Sequence, residues 1–552
     1  MTKKLIDYFP KGFTPRQAQV DVINHIEQCV DNGIRFIVLE CPPGFGKSHI
    51  ASTICNYSND CPDRLRELVD SNDIFTTSED EKRANEEELI GMDRWGASCL
   101  TVTKNLQNQY DSLFKDTTAL KGMNNYDCNL DDTFTADIAP CTTNWSIANT
   151  CRSNNACDFY NTTKQAMKSK FAVYNYSKYL TLPKFMRSKQ FLICDEASEI
   201  EDAIVNFFTT TINYKLLDKY NIDYGSVKVK SDDMSTNIDW LCNVRDGLKK
   251  QIETLKSSIK STSYSETEKK RNMKALQYCK NTLNSVSIVI SSNSLCDYVC
   301  QYDRESCSFS PLYINALADL LWSNNTHIIL MSGTIFDHNT FTRTLGIKKS
   351  EYSFLESESV SDPKLNPIYV PAKYSINYKT QDAVLPKIID QARGIVAEHK
   401  DSNGIIHTHT HKITSKFIDR VGNNSDGRYM FRQNNTTNEH LVLQHAMDET
   451  PTVIVSPSMA FGVDLPDDLS RFQIIMKLPY MSLGDKRVKE LANRDREWYT
   501  MKMFVKLIQM CGRSTRSKDD YCDTYILDLG VINVIKREWS NLPRHFRERF
   551  EV

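Results

Sequence analysis

Glu40-Cys41-Pro42-Pro43-Gly44-Phe45-Gly46-Lys47-Ser48-His49-Ile50 is the stretch around which the chain is organised. The apolar run Phe36-Ile37-Val38-Leu39 leads into it, and the residues after Lys47 can start a helix behind it. A strand, a glycine turn and a helix in this order are typical of a phosphate-binding loop, because backbone N–H groups and the helix dipole attract an oligophosphate. Lys47 would reach the β- and γ-phosphates, and the Ser48 hydroxyl would bind Mg²⁺. Cys41 replaces the first glycine of the usual pattern, so an ordinary strand-to-helix turn is the alternative.

The length and composition of the chain limit what it can be. At 552 residues it is too long for one hydrophobic core, so we expect two or more domains. The formal net charge is -2, which means that any nucleic-acid site must be a local groove and not a global positive field. The sequence has no long uncharged apolar stretch and no signal peptide. We therefore predict a soluble intracellular protein, cytoplasmic if prokaryotic or viral, with no membrane partner.

A helical pattern lies upstream of the glycine turn. It starts at Arg16-Gln17-Ala18-Gln19, just after Phe13, and continues with apolar residues at helical spacing. An aromatic and a glutamine in this place would stack on and hydrogen-bond an adenine. The alternative is an ordinary amphipathic helix with Gln19 in solvent.

A second strand ends in two acids. Gln190-Phe191-Leu192-Ile193-Cys194 is apolar and runs into Asp195-Glu196. An apolar strand that ends in Asp-Glu is the second half of a phosphate-loop ATPase site, in which Asp195 would hold Mg²⁺ through water and Glu196 would orient or deprotonate the attacking water. Alone, the two acids would be read as the cap of a helix. Together with Lys47, they favour the ATPase interpretation.

Four cysteines fall close together between these two motifs: Cys128, Cys141, Cys151 and Cys157. Their segment is rich in Asn, Thr and Asp and has too little apolar periodicity to build a core, so a metal centre is a natural way to stabilise it. A set of four thiolates suits an iron–sulphur cluster or structural zinc. The segment has no C-x-x-C pair, which counts against a zinc ribbon, and unligated thiols remain the alternative.

The remaining sequence predicts a helical insertion and a second domain. From Ile200 to about Ser306 the pattern is helical and strongly charged, and from about Asp337 strands and helices alternate again without a phosphate loop. This second parallel α/β domain contains a glycine-hinged loop with Gly462 and Asp464. It also contains Gln509-x-x-Gly512-Arg513-x-x-Arg516, which puts Arg513 and Arg516 on one helix face. Two such arginines suit transition-state fingers for a γ-phosphate bound by the other domain, and a solvated arginine pair is the alternative.

In this order, the motifs resemble the XPD/DinG family of superfamily 2 iron–sulphur helicases. The matching segments are Arg16-Gln17-Ala18-Gln19, Gly44-Phe45-Gly46-Lys47-Ser48, Leu120-Lys121-Gly122 through Cys128, Asp195-Glu196-Ala197-Ser198, Met331-Ser332-Gly333-Thr334, Gly462-Val463-Asp464-Leu465-Pro466 and Gln509-x-x-Gly512-Arg513-x-x-Arg516. The usual histidine after Asp-Glu-Ala is Ser198 here, which bears on how nucleotide binding is coupled to DNA.

The resemblance implies an α/β fold of two RecA-like parallel-sheet motor domains, the first of which carries an iron–sulphur insertion and a helical arch insertion. The expected boundaries are 1–120, 166–205 and 307–337 for motor domain 1, 121–165 for the cluster domain, 206–306 for the arch and 338–552 for motor domain 2.

The resemblance also implies an ATP hydrolase that acts as a DNA helicase or translocase on single-stranded DNA, moving 5′ to 3′ and unwinding forked or tailed duplexes as a monomer. Its cofactors would be ATP, Mg²⁺ and a [4Fe-4S] cluster held by the four cysteines. Lys47, Glu196, Gln509, Arg513 and Arg516 would be catalytic. The residues that would bind nucleotide and Mg²⁺ are Arg16, Gln19, Gly44, Gly46, Lys47, Ser48, Asp195, Gly462 and Asp464.

Two alternatives remain open at this stage. A nucleic-acid-stimulated ATPase could remodel protein–DNA complexes without unwinding, and RNA could replace DNA because such motifs grip a backbone. Tyr126, Phe159 and Tyr160 in the cysteine segment would stack on bases. Packing into a core is the alternative for each of these rings.

Overall fold

The protein is described by a computed structural model that covers most of the chain. The described residues are 3–76, 87–90, 92, 94–225, 229, 232–260, 265–359, 361–377, 379–422, 427–432, 437–457, 465, 467–514 and 519–551.

The described residues form three sheets and a set of surrounding helices. The strands in chain order are β1 (Phe36–Glu40), β2 (Trp95–Thr101), β3 (Thr117–Ala119), β4 (Phe171–Asn175), β5 (Lys189–Asp195), β6 (Thr210–Asn213), β7 (Tyr298–Tyr302), β8 (Ser306–Pro311), β9 (His327–Ser332), β10 (Tyr352–Glu356), β11 (Ile368–Tyr369), β12 (Gly404–His407), β13 (Tyr429–Phe431), β14 (Val453–Ser456), β15 (Phe472–Ile475) and β16 (Asp523–Ile526).

The helices in chain order are α1 (Gln17–Asp31), α2 (Lys47–Tyr57), α3 (Asp63–Asp70), α4 (Asp73–Thr76), α5 (Lys104–Leu113), α6 (Trp145–Ser153), α7 (Asp158–Lys168), α8 (Tyr176–Leu180), α9 (Lys184–Arg187), α10 (Ile200–Phe208), α11 (Tyr214–Lys219), α12 (Met234–Lys260), α13 (Glu266–Ser292), α14 (Asn315–Trp322), α15 (His338–Thr344), α16 (Gln381–Glu398), α17 (His411–Val421), α18 (Asn438–Met447), α19 (Lys486–Arg494), α20 (Arg496–Cys511), α21 (Gly530–Glu538) and α22 (Arg544–Arg547).

The first sheet has seven parallel strands in the order β10-β1-β9-β5-β2-β4-β3. Strands β1, β2 and β9 are buried along their whole length, as expected for a parallel sheet with helices on both faces. The carboxyl ends of β1, β9 and β5 are neighbours: Glu40 pairs with Ser332, and Asp195 pairs with Met331. This edge is therefore where the phosphate-loop motif, the Ser-Gly-Thr motif and the acid pair meet.

The first sheet continues beyond residue 337, where we expected its domain to end. Strand β10 runs parallel to β1 as the edge of the sheet, with Phe36 paired to Tyr352 and Glu40 to Glu356. This strand is half-buried throughout, so its sequence lacks the continuous apolar run that marks the central strands. The crossing to the second domain therefore follows Glu356.

The helical insertion is a long antiparallel pair, α12 and α13, which stands on a three-stranded antiparallel sheet in the order β6-β8-β7. The two helices pack against each other, and Leu241, Val244 and Leu248 are buried in one core with Leu276 and Cys279. The helices were predicted from their period. The sheet at their base was not, because its strands are short and alternate between buried and half-buried residues.

The second domain has six parallel strands in the order β11-β16-β15-β12-β14-β13. This confirms the predicted second parallel α/β domain. Its helix α20 packs onto the first domain, where the rings of Phe336 and Phe504 stack with centroids 4.6 Å apart. The two sheets thus share an apolar contact beside the carboxyl ends of β5 and β9.

None of the described helices combines the length and the apolar character that a membrane span requires.

Candidate active site

The glycine turn has the backbone shape of a phosphate-binding loop. Gly44 and Gly46 have φ values of 75° and 88°, a region that side chains rarely adopt, and α2 begins directly after Gly46 at Lys47. A Cβ on Gly46 would also lie 2.6 Å from Gln19 Nε2, so any other residue would be strained by the positive φ and would displace Gln19. The backbone N–H groups at the start of α2 therefore face the edge of the sheet, as an anion site requires.

Arg16 and Gln19 hold this loop from outside. The Arg16 guanidinium donates to the carbonyl of Gly44 at 2.8 Å, and Gln19 Nε2 donates to the carbonyl of Phe45 at 3.0 Å. Gln19 is buried, so the alternative that placed it in solvent is wrong. The predicted contact of these two side chains with adenine stays a prediction.

The backbone conformation at Cys41 explains why this position can depart from the usual glycine pattern. Cys41 has no positive φ, and its N–H donates to the carbonyl of Ser332 at 2.8 Å as a continuation of the β1–β9 ladder. Because its φ is not positive and its side chain is buried, this position does not need glycine.

Lys47 and Glu196 meet across the end of the sheet. Lys47 Nζ lies 3.0 Å from Glu196 Oε1, and both side chains are partly accessible. Burial disfavours the charged lysine, but the carboxylates of Glu196 and Asp195 outweigh it and raise the pKa of Lys47. Glu196 has a φ of 53°, a strained conformation for glutamate, and its side chain makes no capping hydrogen bond to the following turn. The helix-cap alternative for the acid pair is therefore wrong for Glu196.

Asp195 is buried and fixed by residues that the sequence did not single out. Tyr110 on α5 donates its hydroxyl to Asp195 Oδ2 at 3.0 Å, and the N–H of Glu196 donates to Oδ1 at 3.0 Å. Tyr176 donates to the Asp195 carbonyl at 3.1 Å. Burial raises the pKa of Asp195, and the charge of Lys47 opposes this rise. Tyr110 follows no motif, so sequence patterns alone did not reveal it.

The second domain places the turn after α20 against the phosphate-binding loop. A Cβ on Gly512 would lie 3.2 Å from Pro43 Cγ, which is tighter than ordinary contact. Arg513 follows this turn and is half-buried, in electrostatic contact with Glu196 and Glu199. Burial lowers the pKa of Arg513, and these two carboxylates oppose that shift. The alternative of a solvated side chain is therefore wrong for Arg513.

Ser198 links three motifs at this interface. Its Oγ accepts a hydrogen bond from Ser332 Oγ at 3.0 Å and another from Gln509 Nε2 at 3.2 Å. The Gln509 Oε1 atom is buried and has no hydrogen-bond partner among the described residues. The short side chain that replaces histidine thus joins the acid-pair turn, the Ser-Gly-Thr turn and α20.

Three predicted site residues lie outside the described residues: Gly462, Asp464 and Arg516. Their placement in the site remains a prediction.

The four predicted cysteine ligands converge, although Cys128 and Cys157 are 29 positions apart in the sequence. All four are free thiols, and Cys151 is buried. Burial, together with the nearby thiols of Cys151, Cys157 and Cys128, raises the pKa of Cys141 to about 11. Within the part of the chain that the structure describes, no three Cys, His, Asp or Glu side chains are already arranged to hold a metal ion. The donor set therefore fits a thiolate-bound cluster, whereas the arrangement of the thiols does not reproduce a finished site.

The aromatic residues of this segment pack inward. Phe159 is buried, and its ring lies 5.6 Å from those of Tyr126 and Tyr160. The Arg152 guanidinium covers the Tyr160 ring at 4.6 Å. This packing favours the core alternative over base stacking. Trp145 at the start of α6 is instead 68% exposed.

Comparisons with known proteins identify solved structures with a similar fold. The helicase C-terminal domain family matches residues 395–549. A solved structure of an XPD helicase superposes with a TM-score of 0.59 at 14% identity, covering 96% of this chain and 98% of that chain. An apo XPD structure gives 0.55 at 14%, covering 93% and 96%, and the structure of S. tokodaii Xpd4 gives 0.53 at 12%, covering 95% and 97%. No curated protein sequence matches the chain significantly.

The comparisons identify the fold of this protein. The chain has the α/β fold of the solved XPD helicase structures, and residues 395–549 in its second domain match the helicase C-terminal domain family. The predicted resemblance to the XPD/DinG family is thereby confirmed at the level of the fold.

Proposed function

We propose that this protein is an ATP-dependent DNA helicase or translocase that moves 5′ to 3′ on single-stranded DNA. One observation carries the proposal. Lys47 and Glu196 from the first motor domain form a 3.0 Å pair, and Arg513 from the second motor domain lies in electrostatic contact with Glu196. A site divided in this way can couple hydrolysis to the relative movement of its two halves.

The first motor domain would bind the nucleotide. The backbone of Gly44 and Gly46 and the start of α2 would surround the phosphates, and Lys47 would exchange Glu196 for phosphate oxygens when ATP enters. Mg²⁺ held by Ser48 and Asp195 would neutralise charge on the β- and γ-phosphates. Glu196, released from Lys47, would then orient the attacking water.

The second motor domain would complete the site when the cleft closes. Arg513, joined by Arg516, would stabilise charge on the γ-phosphate. Gln509 Oε1 is buried without a partner among the described residues, so it is available to a water molecule once substrate arrives. Gly462 and Asp464 would contribute to nucleotide binding from the same domain, and Arg16 and Gln19 would contact the adenine.

We also propose that Cys128, Cys141, Cys151 and Cys157 hold a [4Fe-4S] cluster. Supporting this is the electrostatic contact of Cys141 with the other three thiols in a segment with few buried apolar residues. Cluster binding would draw the thiols to ligand distance and would stabilise the segment. Protein purified without oxygen should be brown with broad visible absorbance, and Cys141→Ser should lose this absorbance. A colourless protein that contains zinc would contradict the assignment.

The predicted partners are single-stranded DNA and forked or tailed duplexes, which a monomer would bind along the two motor domains. ATP hydrolysis should be measured with and without single-stranded DNA or RNA, for the wild type and for Lys47→Ala. We expect strong stimulation by DNA and near-complete loss in the variant, because Lys47 is the phosphate-binding cation. No stimulation by any nucleic acid would overturn the proposal. ATPase activity without strand displacement on any forked or tailed substrate would favour the remodelling alternative.

A further inference from the structure

A cluster of largely buried charges joins the two motor domains next to the turn that holds Glu196. It lies where α10 of the first domain meets α19 and α20 of the second. Its central residue, Glu201, is 5% exposed as a residue and is five positions after Glu196 in the sequence. The members of this Glu201 cluster are Glu201, Asp202, Arg487, Trp498 and Lys502.

The Glu201 carboxylate has a partner on each oxygen. Arg487 Nη2 donates to Oε1 at 2.7 Å, and the indole N–H of Trp498 lies 3.0 Å from Oε1 and 2.9 Å from Oε2. Lys502 Nζ lies 3.6 Å from Oε2 and 2.8 Å from Asp202. Trp498 and Lys502 are four positions apart on α20, so one helix face carries both contacts.

Burial makes the charged contacts of this cluster costly to break. Although burial favours the protonated form of Glu201, the charges of Lys502 and Arg487 outweigh it and lower its pKa. The buried carboxylate is thus ionised and has its partners in place, whereas a carboxylate without them would be strongly disfavoured in this environment. Rearranging α20 against α10 would break several charged hydrogen bonds at once.

Two helices that meet in the cluster lead to residues of the proposed ATPase site. On one side, α10 follows the turn that holds Glu196. On the other, α20 ends at Cys511, directly before Gly512 and Arg513. Arg487 also reaches the helical insertion, because its Nε donates to the carbonyl of Pro311 at 2.7 Å. The cluster therefore fixes the helix that carries the second domain's arginine relative to the first domain's acid.

We propose that Glu201 is a positioning residue that sets the separation between Glu196 and Arg513 through its contacts with Arg487 and Trp498. The inference rests on the proposed ATPase function and adds a residue that touches neither nucleotide nor water. It requires that loss of the Glu201 contacts slows hydrolysis while leaving ATP binding to the first domain intact.

The test compares two variants with the wild type. Glu201→Gln removes the buried negative charge and leaves Arg487 without it, so its melting temperature should fall. The double variant Glu201→Gln/Arg487→Met removes both charges of the 2.7 Å pair and should recover much of that stability. Arg343→Met is the matched control, because Arg343 forms a more exposed ion pair with Asp495 between the same domains.

In both Glu201 variants we expect kcat for DNA-stimulated hydrolysis to fall by about tenfold to 100-fold, since small displacements of catalytic groups have effects of this size. The KM for ATP should change by less than about twofold, because the phosphate-binding residues are untouched. The control should keep its kcat. A double variant with near-wild-type stability and full kcat would overturn this inference alone, whereas a wild type without ATPase activity would overturn the proposed function and the inference with it.

Discussion

The burial of Glu40 can be tested quantitatively through the pH dependence of stability. This residue ends β1, immediately before the phosphate-binding loop. Its carboxyl is buried and lies 3.5 Å from the N–H of Phe336. Burial raises the pKa of Glu40 from 4.5 to about 8, and the nearby Glu356 adds to the rise. The folded protein thus keeps a proton near neutral pH that the unfolded chain releases.

The difference in protons bound at Glu40 fixes the sign and size of the pH dependence of the free energy of unfolding. Between pH 4.5 and 8 the folded state binds more protons at Glu40, so the free energy of unfolding falls as pH rises. The slope is about 1.4 kcal/mol per pH unit, and the whole window amounts to about 5 kcal/mol. Glu40→Gln cannot titrate and is close in shape to the protonated acid. Relative to the wild type, this variant should gain about 4 kcal/mol between pH 5 and pH 8.

The assay is urea unfolding of both proteins at several pH values, following the transition that includes the first motor domain. Differences between variant and wild type cancel the titration of all other groups. Glu253→Gln on α12 is the control, because its side chain is 72% exposed and lies in the helical insertion, outside the first sheet. A stability difference for Glu40→Gln that stays constant from pH 5 to pH 8 would refute a buried, protonated Glu40.

Three further predictions concern residues around the site. Tyr110→Phe removes the hydroxyl that donates to Asp195, so the Mg²⁺ concentration for half-maximal hydrolysis should rise about tenfold; an unchanged Mg²⁺ dependence would contradict this role. Ser198→Ala removes the hydrogen bonds from Ser332 and Gln509, and kcat should fall about tenfold at an unchanged KM for ATP. A comparable weakening of the KM for ATP would contradict this role of Ser198. Lys189 is buried at the start of β5, and burial lowers its pKa well below the usual value, so the stability of Lys189→Met relative to the wild type should be greater at low pH than at high pH in thermal unfolding; a stability difference that is independent of pH would contradict the lowered pKa.

The central strands of both sheets were predictable because each is a short apolar run with a polar end. The strand before Lys47 and the strand before Asp195 were predicted to within one or two residues, and the sheet brings their ends together as expected. Edge strand β10 was missed because a half-buried strand has no comparable apolar run.

The candidate site was predictable only where its residues belong to a motif. Lys47, Glu196, Gln509 and Arg513 fall in spaced patterns, and the fold brings them to one cleft. Tyr110 contacts Asp195 across 85 positions of sequence, so no local pattern marks it.

The roles of residues that depend on partners distant in the sequence could not be predicted either. Glu201 looks like one more charged residue on a charged helix until Arg487 and Trp498 arrive from almost 300 positions away. Conversely, Phe159 looked available for base stacking, but its neighbours in the fold bury it. Burial depends on the tertiary partners, and these cannot be read from spacing along the chain.

The central claim is that one ATPase site is divided between the two motor domains, with Lys47 and Glu196 in one and Arg513 in the other. Single-turnover hydrolysis of bound ATP by Arg513→Ala, with DNA present, tests it most directly. We predict that ATP still binds and that hydrolysis slows by about 10³-fold or more, as expected for the loss of a transition-state arginine. Hydrolysis at the wild-type rate by Arg513→Ala would contradict the claim.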